Sequence, residues 1–261
     1  MKAIVIALFA ALSATAGVLP VTQVDAATLK AFDDYIATFE KGDPARFAAS
    51  GQLWIDSKLA EINKGEAVVE GRYNKDAAKG SIHHFSGSIR VNKANIANFR
   101  KMMLDFPAYP KFYRGDVVSG RGDRLPDSTP DDEHYATAMA LTQSAFHIDV
   151  AYDSAYDVHY RRPAEGRWTV RSASTMLRER KNPKDPAAGF YPEGNDHGFL
   201  WRTNTYWQVR ERDGGLDLQV DSISLSRSAP LGLGWLGRRQ ARDTVEKILR
   251  DTRAAIEAQS R

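Results

Sequence analysis

Two strand-like runs joined by a tight turn and followed by one long amphipathic helix fill the last third of the chain. Residues 198–211 and 216–227 flank Arg212-Asp213-Gly214-Gly215. In the first run Phe199, Trp201, Thr203, Thr205, Trp207 and Val209 alternate with Leu200, Arg202, Asn204, Tyr206, Gln208 and Arg210. A period of two gives one largely apolar face and one largely polar face. The helix, residues 238–258, carries Val245, Ile248, Leu249, Thr252 and Ile256 on one stripe, with Arg and Asp opposite. A curved antiparallel sheet closed by such a helix can leave an apolar cavity between them. A lipid-like ligand is therefore the first expectation.

The remaining composition narrows the alternatives. A chain of 261 residues, 43% hydrophobic and 26% charged, is one generous domain or one domain with an extension. Its net charge of +3 carries no concentrated basic stripe, which argues against nucleic acid. Acids interrupt the bases in Arg178-Glu179-Arg180 and Arg210-Glu211-Arg212, a pattern that reads as solvated strand ends. With no cysteine, disulfides, thiol catalysis and Cys-built zinc sites are excluded.

The first 26 residues read as an export signal. Lys2 supplies the positive start, residues 3–12 the apolar core, and Val24-Asp25-Ala26 a small-residue cleavage site, with Ala14-Thr15-Ala16 competing. The apolar run is well short of the ~20 residues that a spanning helix needs. The expected destination is a periplasmic or secreted one.

Residues 27–80 form a mostly helical N-terminal extension in this reading, with helix at 28–40, a stop at Gly42-Asp43-Pro44, and a second helical stretch reaching Asn63. Residues 67–70 make a short strand and 72–80 a polar loop. The regular part, residues 81–261, opens with a strand at 82–91 and a helix at 94–106. Strands follow at 117–121, 133–142, 146–160, 167–177, 198–211 and 216–227, then the long helix.

That order resembles the START-like helix-grip superfamily (SRPBCC), which includes polyketide cyclases and plant pollen-allergen proteins. Three local features carry the resemblance: Ile82-His83-His84-Phe85-Ser86-Gly87 opening the first strand, Leu104-Asp105-Phe106-Pro107-Ala108-Tyr109-Pro110-Lys111-Phe112-Tyr113 ending the helix before a strand, and Asp221-Ser222-Ile223-Ser224-Leu225-Ser226-Arg227 with Gly232-Leu233-Gly234-Trp235 before the last helix. The last two look like those of exported bacterial START-like proteins. The resemblance implies an α+β fold, a curved antiparallel sheet of about seven strands wrapped around the C-terminal helix. It also implies a gap holding a sterol, lipid, polyketide or aromatic ligand. The N-terminal extension has no counterpart in the minimal fold.

Residues placed inward by strand phase or helix stripe are the candidate ligand contacts: Tyr135, Met139, Leu141, Phe146, Ile148, Tyr152, Trp201, Trp207, Ile248, Leu249 and Ile256. Any one of them could equally be ordinary core. Thr203 joins the list because its phase sets a hydroxyl among those apolar groups, as it does for Thr205, Ser172 and Ser174. Such a hydroxyl bonds backbone, a cross-strand neighbour or a polar ligand group. The six histidines suggest no metal site: His83 and His84 point to opposite faces, and His147 and His159 lie far apart along their strand pattern. No nucleophile elbow is present.

The expected function is an exported carrier of a hydrophobic small molecule, without cofactor, metal or catalytic residue. A transient membrane contact fits such a carrier. Docking through the extension itself is disfavoured by Asp33, Asp34 and Glu40 in its first helix. The rival is an enzyme of the polyketide cyclase or aromatase type using the same cavity.

Overall fold

The computed structural model describes residues 20–145, 148–228 and 234–259. Residues 1–19 of the expected export signal, Phe146, Gly232 and Leu233 lie outside them. A two-residue strand β1 (Thr22–Gln23) precedes three helices, α1 (Ala26–Glu40), α2 (Asp43–Ser50) and α3 (Leu59–Asn63). Strands β2 (Val68–Ala77) and β3 (Gly80–Asn92) follow, then α4 (Ile96–Leu104) and α5 (Tyr109–Phe112). Next come β4 (Val117–Arg124), β5 (Asp132–Ala145), β6 (Ile148–Ala164) and β7 (Arg167–Glu179). The chain closes with β8 (Asn195–Asp196), β9 (Arg202–Arg212), β10 (Gly215–Arg227) and α6 (Gly234–Gln259).

Eight strands make one antiparallel sheet in the order β2-β3-β10-β9-β7-β6-β5-β4, and β1 pairs with β8 apart from it. The eighth strand is β2, whose residues 72–77 were expected in a loop. β2 is an edge strand with polar Arg72, Asn74, Lys75 and Asp76, and an edge exposed to water needs no apolar alternation. β9 and β10 turn through Asp213 and Gly214, with φ of 46° and 68°. Positive φ at both central residues is what a two-residue hairpin of this twist demands, and Asp-Gly supplies it at little cost. α4 starts at Ile96 because Asn95 and Asn98 cap each other's backbone N–H groups, at 3.0 Å each way.

α6 lies on one face of the sheet, over β3. A Cβ on Gly87 would meet Leu249 and Val245 of the helix at 2.7 and 2.8 Å, so only glycine lets the helix approach so closely. Beneath and beside α6 sit Phe85, Ile89, Val91, Phe99, Trp168, Val170, Trp207, Val209, Leu216, Leu218 and Val220, a single buried cluster with Val245, Leu249 and Ile256.

The opposite face is buried as well, which the alternation of β9 did not foretell. α1 and the turns up to α3 cover it, and Phe32 and Ile36 pack on Ile82, Tyr206, Ile223 and Leu225. Asn204, Tyr206, Gln208, Asp217, Gln219 and Asp221 are all buried there. Each makes at least one hydrogen bond, although Gln208 Nε2 meets no partner among the described residues. His84 joins Tyr35 Oη at 2.7 Å and Asp221 at 3.1 Å, and Ser86 also donates to Asp221. Gln219 accepts from Trp54 N at 2.9 Å. Arg210 and Arg212, expected to be solvated, both bond Asp217.

Trp201 belongs to this second layer. Its ring packs with Phe32, Ile36 and Ile223, and its Nε1 donates to Asp196 at 3.0 Å. β9 begins only at Arg202, so the alternation that placed Trp201 inward does not reach it.

Candidate functional site

Strand register sorts the α6 face into cross-strand rows. One row reads Ile89, Leu218, Val209 and Trp168, and the next Gly87, Val220, Trp207, Val170 and Tyr160. These rows are apolar and sealed, with Phe99 against Trp207 at 6.0 Å between ring centroids. The third row changes character: Phe85, Ser222, Thr205, Ser172, Val158 and Tyr135. The fourth reads His83, Ser224, Thr203, then Ser174 beside it, Tyr156 and Thr137.

Six hydroxyls thus form a block two rows deep across β10, β9 and β7. All six residues are half-buried. Ser174 Oγ accepts from Thr203 N at 3.0 Å. The hydroxyls of Ser172, Thr203, Thr205, Ser222 and Ser224 meet no protein hydrogen-bond partner among the described residues, so they are free to bond water or a ligand. His83 closes the block at the β3 end, with Nε2 3.2 Å from Ser226 Oγ. Burial, and then the charge of Arg238 on α6, hold its pKa below the ordinary histidine value. It stays a neutral donor or acceptor there.

Apolar side chains flank the block. Tyr135, Met139 and Leu141 on β5 are half-buried, as is Ile248 on α6. Tyr135, Met139 and Ile248 pack against the main cluster. Together with Thr203 these five expected contacts lie on the α6-facing side of the sheet or on α6 itself. Leu249 and Ile256 are fully buried between helix and sheet, and Trp207 is sealed under Phe99. Those three are core and contribute little open surface. Ile148 is placed on β6 by its backbone.

Tyr152 lies one row past Met139, paired with Leu141 and Glu179. It is 1% exposed and its hydroxyl has no partner among the described residues. Burial raises its pKa well above that of a free tyrosine, and burial likewise raises that of Glu179, whose carboxylate meets His197 Nδ1 at 2.5 Å. Sequence reasoning did not pair Glu179 with His197, because they lie 18 positions apart at the two ends of a long connection.

α4 and α5 pack against α6. Tyr109 donates to Met103 O at 2.7 Å, and Tyr113 Oη lies 3.0 Å from Thr252 Oγ1 on α6. Burial lifts the pKa of Tyr113 to about 12, so it remains a neutral hydroxyl.

An eight-stranded antiparallel sheet with a long C-terminal helix on one face is consistent with the helix-grip fold expected from the element order. No family model matches this sequence, and no curated protein does. Solved structures give matches. A STAR-related lipid transfer protein from Xanthomonas axonopodis is 19% identical, with 72% of this chain and 98% of that one covered and a TM-score of 0.48. A START superfamily protein from Mycobacterium smegmatis is 15% identical, covering 67% and 98%, with a TM-score of 0.43. A Streptomyces aromatase/cyclase is 13% identical, covering 69% and 96%, with a TM-score of 0.40.

Proposed function

We propose that the protein is an exported carrier that binds an amphiphilic small molecule, with a lipid-like or polyketide-like body, in a groove between α6 and the β5–β7 side of the sheet. The observation that carries this reading is the block of half-buried hydroxyls at Ser172, Ser174, Thr203, Thr205, Ser222 and Ser224, bordered by Tyr135, Met139, Leu141 and Ile248. A packed core would not spend five unpaired hydroxyls beside its apolar rows, whereas a ligand with an apolar body and a polar group satisfies both. Burial of the apolar body supplies about 25 cal/mol per Å² removed from water.

The delipidated protein should take up an apolar fluorescent probe at about one to one, with a shift in tryptophan emission as Trp207 and Trp168 sense the wall. Thr203→Val should weaken an amphiphilic ligand while leaving a purely apolar probe nearly unaffected. Arg250→Ala, on the solvent side of α6, should change neither. No probe uptake by the folded protein would end the carrier reading.

An enzyme reading rests on Glu179, His197 and the unpaired Tyr152 hydroxyl, an acid–base group beside Leu141. It demands turnover of a polyketide-like substrate that disappears in Glu179→Gln. Binding without turnover favours the carrier.

Export is part of the proposal, supported by Lys2, the apolar residues 3–12 and Val24-Asp25-Ala26. Protein from the native host should begin at Ala27, or at Gly17 if the earlier site is cut. A soluble cytosolic form that retains Met1 would contradict it.

A further inference from the structure

On the face of the sheet turned away from α6, β5 and β6 bring together a cluster that the groove does not use. His134 and His159 are direct cross-strand partners, and Asp157 lies two residues from His159 on the same face. The imidazole rings stack with centroids 4.1 Å apart and 13° between their planes. His134 Nδ1 lies 2.9 Å from both oxygens of Asp127, and His159 Nδ1 lies 2.9 Å from Asp132 Oδ1. An ionised carboxylate only accepts, so each Nδ1 carries a hydrogen and each Nε2 of a neutral ring presents a lone pair. Both Nε2 atoms face Asp157, at 2.7 Å from His134 and 3.6 Å from His159. The three donor atoms lie within 4.8 Å of one another. Lone pairs at that spacing repel unless a cation lies between them.

We propose that His134, His159 and Asp157 bind a divalent first-row transition metal of the zinc type. Two imidazole nitrogens and one carboxylate are the donors such ions take, whereas magnesium and calcium seek oxygen alone. Asp127 and Asp132 then do what outer carboxylates do in metal sites: they fix the tautomer, orient the ring and raise the basicity of Nε2. Side-chain exposures of 14% for His134, 20% for His159 and 34% for Asp157 let an ion arrive from solvent without opening the core. Two arginines oppose the ion. Arg171 Nη1 lies 3.2 Å from Asp157 and Arg161 Nε 2.8 Å from Asp132, but Arg171 also pairs with Glu40 at 2.8 Å. Three carboxylates face two guanidiniums, so the cluster still favours a cation.

The test uses the full chain, stripped with a chelator and titrated with Zn²⁺ by calorimetry and with Co²⁺ by visible absorption. One equivalent should bind. His134→Ala and His159→Ala should abolish that uptake, and Asp132→Asn should weaken it about ten- to a hundredfold through the outer contact alone. His83→Ala, on the other face, should leave it intact. Should the alanine variants fold poorly, imidazole nitrogen spectra of the unaltered protein decide. Zn²⁺ must then shift the Nε2 signals of His134 and His159 and leave those of His84 unmoved. No stoichiometric uptake, uptake undiminished in the folded alanine variants, or shifts confined to other histidines would each overturn the proposal.

Discussion

Leu249→Asp should remove most of the protein's stability. Leu249 is 0% exposed, and its Cδ1 lies where a side chain on Gly87 would have to go. Truncating a buried leucine alone costs about 2–5 kcal/mol. A carboxylate at that site adds several more, because it would sit among the apolar side chains of the Val245, Leu249 and Ile256 stripe. The sum approaches the whole of the roughly 5–15 kcal/mol that holds an ordinary domain folded. Arg250→Ala, one position on but solvent-facing and paired with Glu246, should stay within about 0.5 kcal/mol. Denaturant midpoints of the two variants make the comparison. A midpoint for Leu249→Asp equal to that of the unaltered chain would mean that α6 does not seal the sheet, and the groove would lose its wall.

Much of this architecture was legible in the sequence because it depends on local pattern. The hairpin at Asp213-Gly214, the helix stripe at Val245, Leu249 and Ile256, and the opposite faces of His83 and His84 all follow from a period of two or 3.6. Where the reading failed, the missing information was tertiary. Asn204, Tyr206 and Gln208 have a solvent-face pattern, yet they are buried because α1 and its following turns fold over them. β2 was missed beyond its first residues because an edge strand can be polar. Trp201 kept the right parity but lay one residue before its strand. The candidate groove residues were half legible. Thr203, Thr205, Ser172 and Ser174 could be named from phase, but their assembly with Ser222 and Ser224 needed the β10-β9-β7 register. The cluster of His134, Asp157 and His159 was invisible for the same reason: only the pairing of β5 with β6 sets residues 25 positions apart side by side.

Asp217→Asn should cost about 3–5 kcal/mol, the loss expected when one partner of a buried ionic network is removed. Asp217 is 0% exposed and accepts from Arg90 Nη1 at 2.9 Å, Arg210 Nη2 at 2.9 Å and Arg212 Nε at 2.7 Å. An asparagine of the same shape leaves three guanidiniums facing a neutral amide. Arg210 retains Asp56 at 2.7 Å, and Arg90 retains the carbonyl of Arg212 at 2.8 Å, so the damage centres on the layer that α1 to α3 form over the sheet. The pH dependence separates this charge effect from mere packing. Burial alone would raise the pKa of Asp217, but the hydrogen bonds from Arg212 and Arg210 outweigh it and hold the value below that of a free aspartate. A carboxylate with a depressed folded pKa contributes its full stabilisation above the unfolded value of about 3.9, and loses it as pH falls through the folded pKa. The gap between the parent protein and Asp217→Asn should therefore be constant from neutral pH down to about 5 and shrink below about 4. Urea midpoints across that range measure it directly. Exchange of the Trp54 amide, which donates to Gln219 next to Asp217 on the buried side of β10, should quicken in the variant. A variant within about 0.5 kcal/mol of the parent at pH 7 would show that the arginines find equal partners without Asp217. The covering layer would then be held by Phe32, Ile36 and the His84–Asp221 pair instead.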